Sequence, residues 1–197
     1  MRESRSAPSL WPVAGPQGAP ALKPGRPGCA ITGIDHATGF TTRALLCAPL
    51  RTYQGVIGEL TGRLGAFTVL INNAARDDRH VLEDVTPAFW DERIAVNLRH
   101  QYFAIQAVAA GMKQAGGGSI VNFSSVSYHT MTPQLSVYQA AKAAVIGMTR
   151  GLARDLGGDK IRLNSITPGW IMTQRQIDLW LTPQAEAGLM EAQCLKE

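Results

Sequence analysis

Residues 119–144 run Ser119-Ile120-Val121-Asn122-Phe123-Ser124-Ser125-Val126-Ser127-Tyr128-His129-Thr130-Met131-Thr132-Pro133-Gln134-Leu135-Ser136-Val137-Tyr138-Gln139-Ala140-Ala141-Lys142-Ala143-Ala144, and they decide how the rest of the chain is read. Ser119–Phe123 is a short apolar run, the mark of a strand buried on both faces. From about Ser136 to Leu156 the pattern predicts one long helix, stopped by Gly157-Gly158. Tyr138 and Lys142 stand four apart on that helix and so share a face. Alone, such a pair describes an ordinary exposed amphipathic helix. Its neighbours change the reading: Ala140, Ala141, Ala143 and Ala144 leave room for a flat ligand and a close helix contact. Thirteen residues before Tyr138, Ser124-Ser125 closes the strand. The carboxyl end of a parallel strand is where such sheets place their ligands.

The same alternation extends in both directions. Tyr53–Leu64 reads as a helix with Val56, Ile57, Leu60 and Leu64 on one stripe, stopped by Gly65. Phe67–Ile71 is another buried strand. A helix opens at Thr86-Pro87, an N-cap followed by proline at the first helical position, and runs to Gly116-Gly117-Gly118. Lys160–Ile166 is a third strand, ended by Pro168-Gly169, and Thr182-Pro183 opens a last short helix. Strand, helix, strand, helix, strand with apolar strands predicts an α/β fold: a Rossmann-like, doubly wound parallel sheet with helices on both faces.

Composition divides the chain near residue 50. Seven of the 11 prolines precede that point, and in residues 1–28 Pro and Gly fill ten positions, a signature of disorder. Residues 1–52 are therefore expected to be an atypical disordered segment, and 53–197 the catalytic part of one domain. The net charge of +4 maps to the front: residues 1–52 hold six Lys/Arg against two acids, and 53–197 hold 13 of each. The folded part is neutral, which leaves no basic patch for nucleic acid. No run of about 18 apolar residues exists to span a membrane. Cys29, Cys47 and Cys194 are odd in number and far apart, which suits a reducing compartment without disulfides or structural zinc. The proline-rich start is not a secretory signal, and its prolines argue against a transit helix. A cytoplasmic protein with no metal is expected.

Taken together, the motifs resemble the short-chain dehydrogenase/reductase family. Asn72-Asn73-Ala74-Ala75 is similar to its N-N-A-G, Asn97 to its helical Asn, Ser125 with Tyr138 and Lys142 to its Ser and Tyr-x-x-x-Lys set, and Asn164-Ser165-Ile166-Thr167-Pro168-Gly169 to its N-x-x-x-P-G. The resemblance implies an oxidoreductase using NAD or NADP, with Asn97, Ser125, Tyr138 and Lys142 catalytic. It further implies that Asn72, Ala74, Tyr138, Lys142, Pro168, Gly169, Ile171 and Thr173 line the cofactor, Ala75 standing where Gly is usual. Residues 87–114 and 136–156 resemble the family's four-helix dimer interface, which implies a homo-oligomer. The residue types suit the chemistry. A phenol titrates near 10. An ammonium about 4 Å away is worth about 4 kcal/mol at an effective dielectric of 20, roughly three pKa units. Lys142 is thus expected to lower the phenol of Tyr138 so that it exchanges a proton with the substrate oxygen, which Ser125 holds. By resemblance, Asn97 anchors a water leading to Lys142.

Asp77-Asp78-Arg79-His80, Asp91 through His100, Ser127-Tyr128-His129, Gly169 through Thr173 and Gln193 through Lys196 resemble the bacterial aldose dehydrogenase branch. That implies a sugar oxidised to a lactone, with His129, Gln134 and Trp170 as substrate contacts. A 3-oxoacyl or simple ketone reductase is the alternative, and a non-catalytic or defective fragment a third reading. The family's glycine-rich fingerprint is not matched. Ile31-Thr32-Gly33-Ile34-Asp35-His36-Ala37-Thr38-Gly39-Phe40 keeps Thr-Gly but not the later glycines, and only 39 positions separate Gly33 from Asn72. Part of the cofactor half and the C-terminal end are expected to be missing. Unless Ile31–Gly33 fills the gap beside it, the Phe67–Ile71 strand is expected to be a bare, aggregation-prone edge; in either case the phosphate turn is not recreated and weak NAD(P) binding is expected.

Overall fold

A computed structural model describes residues 28–32 and 50–195. The chain divides into two units, residues 1–167 and 168–197. In the first, four strands form one parallel sheet in the order β1 (Gly28–Thr32), β2 (Phe67–Asn72), β3 (Gly118–Phe123), β4 (Ile161–Ile166). The connecting helices are α1 (Leu50–Leu64), α2 (Pro87–Ile94) leading into α3 (His100–Gln114), and α4 (Ser136–Leu156). The second unit holds α5 (Gln174–Trp180) and α6 (Pro183–Ala192).

Two expectations about the front of the chain are corrected. Gly28–Thr32 lies inside the segment expected to be disordered, yet it is a strand paired with β2 from Gly28 beside Phe67 to Thr32 beside Asn72. β2 is therefore not a bare edge: its backbone groups on that side have ladder partners, which removes the ground for aggregation there. The helix read from Tyr53 also begins earlier, at Leu50. The proline-rich text before residue 28, the Gly33–Phe40 stretch and Cys47 lie outside the described residues.

Helix boundaries follow from their caps. Thr86 Oγ1 accepts from Phe89 N at 3.2 Å and Pro87 needs no donor at the first position. α1 ends at Gly65, whose φ of 84° suits glycine, with its N–H on the Thr61 carbonyl. The helix predicted as continuous from residue 87 is interrupted by a π-helical turn, Ala95–Arg99, where the His100 N–H reaches the Ala95 carbonyl. Such turns insert one residue and re-aim the side chains around them.

Register then sets the core. Leu70 of β2 sits beside Ile120 of β3, and Ile120 beside Leu163 of β4. This row, with Ile161, packs against Tyr53 of α1 and against Ala104, Ile105, Val108 and Met112 of α3; Met148 and Leu152 of α4 complete it. All three helices thus share one core on one face of the sheet, as successive right-handed crossovers in one direction require. The helical layer expected on the opposite face is not part of the described residues. Side chains on one face recur every second residue, so beyond Leu70 and Ile120 the next inward positions are Asn72 and Asn122, followed by Ser124. The helix-facing side of the sheet turns from apolar to hydrogen-bonding at its carboxyl edge.

The turn into β3 carries a sharp steric demand. Gly117 has a φ of 137°, and a Cβ there would stand 2.6 Å from the Lys160 carbonyl oxygen. Gly117→Ala should destabilise the chain by about 1–3 kcal/mol, read as a lower urea midpoint. Gly111 is helical with nothing within 4 Å of an added Cβ, so Gly111→Ala should be neutral or stabilising by up to about 1 kcal/mol. Equal effects at the two sites would contradict the geometry.

Candidate active site

At the carboxyl edge, buried amides replace apolar side chains. Asn72 Nδ2 donates to Asn122 Oδ1 at 2.8 Å, and Asn122 Nδ2 donates to Thr149 Oγ1 of α4 at 2.9 Å. Asn72 and Asn122 have no solvent exposure. Unpaired buried amides would cost about 1–3 kcal/mol each, so this chain ties β2, β3 and α4 together where the site begins. Ser124 adds a further tie, its Oγ donating to the Lys142 carbonyl at 2.7 Å. The structure thus turns Asn72 inward, as an organiser of the strand end. Ala74 is buried beyond it, and Ala75 keeps a negative φ, so the lost glycine costs nothing in backbone conformation.

Asn97 lies in the π turn with its side chain fully engaged. Its Oδ1 accepts from Arg76 N at 2.8 Å, and its Nδ2 donates to the carbonyls of Arg76 at 3.0 Å and Arg93 at 2.9 Å. The Asn97 carbonyl accepts from Gln101 Nε2 at 3.3 Å. The loop after β2 is therefore locked to the π turn by a side chain that reads both backbone groups of Arg76. Ion pairs reinforce the lock: Arg93 is buried and pairs with Asp78 and Glu92, and Arg76 Nε lies 2.8 Å from Asp78.

Tyr138 and Lys142 occupy the first turns of α4, over this edge. Lys142 is 1% exposed, and its Nζ donates to the Phe123 carbonyl at 2.7 Å. The same Nζ lies 5.6 Å from the centroid of the Tyr138 ring. Burial pushes the lysine down to about 8, against the opposing pull of Asp77. The phenol moves opposite to the expectation from Coulomb's law: burial pushes Tyr138 up to about 12, Asp77 adds to the rise, and a hydrogen bond from Ser125 works against it. Nζ is turned to a backbone carbonyl, and desolvation sets the direction of both shifts. Ser125 also stands at the head of the short turn Val126–Tyr128, its Oγ accepting from Ser127 N at 3.2 Å.

Ser125, Tyr138 and Lys142 are therefore brought together, whereas the Asn97 side chain is committed to Arg76 and Arg93. Asp77 faces the pair as well; the sequence reading had attached it only to substrate branch. His129 is exposed and its ring lies on Tyr128 at 3.9 Å, while Gln134 is exposed with a left-handed φ of 61°. Pro168, Gly169, Trp170, Ile171 and Thr173 belong to the second unit. There Thr173 caps α5, its Oγ1 accepting from Gln176 N at 3.3 Å, and Ile171 is well exposed. Among the described residues no group of three or more His, Cys, Asp or Glu is arranged to hold a metal, and no helix is long and apolar enough to cross a membrane.

One further buried group, which the sequence attaches only to the aldose branch, is a histidine. His100 has no solvent exposure, and neither ring nitrogen has a partner of good hydrogen-bond geometry. Burial first and the charge of Lys142 second push its imidazole down to about 3, against the carbonyls of Ala95 and Val96. A depressed folded-state pKa contributes stability that is present above the unfolded value near 6.5 and lost as pH falls toward 3. Within that window the loss approaches about 1.4 kcal/mol per pH unit. Urea midpoints recorded across this range should fall less steeply for His100→Leu than for the parent; parallel profiles would show that His100 is not the acid-sensitive group.

The comparisons agree with this geometry. A family model described as enoyl-(acyl carrier protein) reductase matches residues 50–197. The chain is 55% identical over 140 residues to a D-xylose 1-dehydrogenase of Caulobacter vibrioides, covering 71% of this chain and 56% of that protein. It is 51% identical over 152 residues to the probable galactose dehydrogenase GalD of Rhizobium meliloti, covering 76% and 59%. A crystal structure of a Sinorhizobium meliloti 1021 protein assigned to the short-chain alcohol dehydrogenases superposes with a TM-score of 0.69 at 29% identity, over 74% of this chain and 57% of the other. The chain thus spans less than two thirds of the length of these relatives. On the family match, the identities and a serine, tyrosine and lysine gathered at the carboxyl edge of a parallel sheet, the chain belongs to the short-chain dehydrogenase/reductase family.

Proposed function

We propose that the chain carries the catalytic machinery of a nicotinamide-dependent sugar dehydrogenase that oxidises the anomeric hydroxyl of an aldose to a lactone. The observation that carries the reading is the meeting of Ser125, Tyr138 and a fully buried Lys142 at the ends of β2 and β3. Buried lysines are costly unless the charge is used. Lys142 has three N–H donors and gives one to the Phe123 carbonyl. The other two suit a pair of vicinal hydroxyls, as in a nucleotide ribose, so the residues present fit such a cofactor. A bound nicotinamide supplies the hydride acceptor or donor and, when oxidised, a positive charge.

The chain's own groups handle the proton. Ser125 donates a hydrogen bond to the reacting oxygen and orients it toward the phenol. Tyr138 takes the hydroxyl proton as the C–H bond breaks, and returns it in the reverse direction. With its pKa near 12 the phenol is protonated at neutral pH; acting as a base requires more positive charge beside it than Lys142, turned to the Phe123 carbonyl, supplies here. Asn97, which spends its side chain on Arg76 and Arg93, supports the reaction by holding the loop that carries Asp77. The finer assignments follow the resemblance: Ala74, Pro168, Gly169, Ile171 and Thr173 line NAD or NADP, Asn72 orders the strand end beneath it, and His129, Gln134 and Trp170 meet the sugar. The two relatives named for D-xylose and galactose support the substrate class. A cytoplasmic homo-oligomer is proposed on the same family basis.

Tyr138→Phe keeps the ring and removes only the proton-carrying oxygen. In the purified chain it should lower aldose oxidation by about 10²–10⁴-fold, followed through nicotinamide absorbance, while calorimetric titration finds cofactor affinity within a few-fold of the parent. Equal turnover by parent and variant would rule out the proton path. Substrate class is decided by comparing D-xylose and D-galactose with a 3-oxoacyl ester, with NAD(H) and NADP(H) in turn. Preference for the ester would sink the sugar assignment and favour the alternative reductase.

A further inference from the structure

The helix that carries Tyr138 and Lys142 starts without a cap of its own. Its N-cap position is Leu135, at φ −134° and ψ 21°, whose side chain cannot accept from the first-turn N–H groups. Val137 is buried, so water does not serve its N–H. The partner comes from 57 residues away: Val137 N donates to Nε2 of His80 at 3.3 Å. Ser136 Oγ lies 3.1 Å from the same nitrogen, and His80 Nδ1 lies 3.1 Å from the Asp78 carbonyl. A carbonyl can only accept, so the ring proton is on Nδ1 and the lone pair on Nε2 faces the helix.

The backbone repeats the connection. His80 N donates to the Gln134 carbonyl at 2.9 Å, and Arg79 Nη1 donates to the Pro133 carbonyl at 3.2 Å. Gln134 takes a left-handed conformation that a side chain disfavours, and its carbonyl is held by this contact. The His80 ring also packs on Phe89 of α2, centroids 5.1 Å apart. The other charges of the stretch are engaged elsewhere: Asp78 with Arg76 and Arg93, and Arg93 over the outer reach of Phe89 at 5.2 Å.

We propose that His80 is a positioning residue for Tyr138: its neutral imidazole replaces the missing N-cap of α4 and sets where the catalytic tyrosine, the next residue after Val137, stands. The loop after β2, fixed by Asn97 and Arg93, thereby fixes the start of the catalytic helix. Only the activity arm of the test rests on the proposed dehydrogenase reading.

Two substitutions in the full chain separate positioning from packing. His80→Phe keeps a ring against Phe89 but offers no acceptor. His80→Gln places a carbonyl oxygen near the Nε2 position and an N–H toward Asp78. Hydrogen exchange followed by mass spectrometry over residues 135–141 should be about tenfold faster in His80→Phe, the scale of a lost cap, with β3 and the C-terminal half of α4 unchanged. His80→Gln should restore protection. In aldose oxidation, kcat should fall about tenfold in His80→Phe with KM changed less than about threefold, and recover in His80→Gln. Unchanged exchange in His80→Phe, or a glutamine variant as exposed as the phenylalanine one, would overturn the proposal. If exchange behaves as expected but the parent turns over no sugar, the cap stands and the functional reading fails.

Discussion

The site depends on one chain of buried hydrogen bonds, Asn72 to Asn122 to Thr149. Each of these side chains lies on the face of the sheet that packs against helices, where an unpaired amide would be more costly than an apolar residue. Paired, they do what apolar contacts do not: they accept one lateral position of β2 against β3 and one depth of α4. Slippage by one residue would turn both asparagines out of reach. Ser124 then reaches the Lys142 carbonyl two turns earlier on the helix. Ser125, Tyr138 and Lys142 stand above an edge whose geometry is set by direction-dependent bonds.

Above that edge, solvation decides the charge states. Lys142 and Tyr138 are both shifted toward their neutral forms, because burial removes more from each charged state than the Ser125 hydrogen bond returns to the phenol or Asp77 to the ammonium. The ammonium finds a backbone carbonyl at the end of β3 in place of the phenol.

The interruption between α2 and α3 serves the same end. A π turn at Ala95–Arg99 allows Asn97 to face the loop after β2 with both ends of its amide, and leaves His100 buried beside the charge of Lys142. The loop so held presents Asp77 to the pair and His80 to the start of α4. Binding of the loop at one end and capping of the helix at the other are two parts of a single mechanical connection.

Much of this was legible in the order of residues, because it rests on local rules. Period and the Gly157-Gly158 stop placed α4 at Ser136–Leu156, and Thr86-Pro87 and Thr182-Pro183 opened helices where proline at the first position allows. The four-residue spacing put Tyr138 and Lys142 on one face, and the motif set led to the family. Other features depended on neighbours far along the chain. The sequence offers Ile31–Gly33 as one candidate for the place beside β2, but the strand Gly28–Thr32 is made by pairing with β2 and not by local propensity in proline-rich text. Asn122 reads as an ordinary polar residue until register brings it beside Asn72, and His80 as a loop histidine until the fold sets its lone pair against Val137. The sign of the shift at Tyr138 was beyond any spacing argument, because Coulomb attraction follows distance but desolvation follows everything packed around the group. Spacing determined which groups would meet; only tertiary burial decided their charge and their orientation.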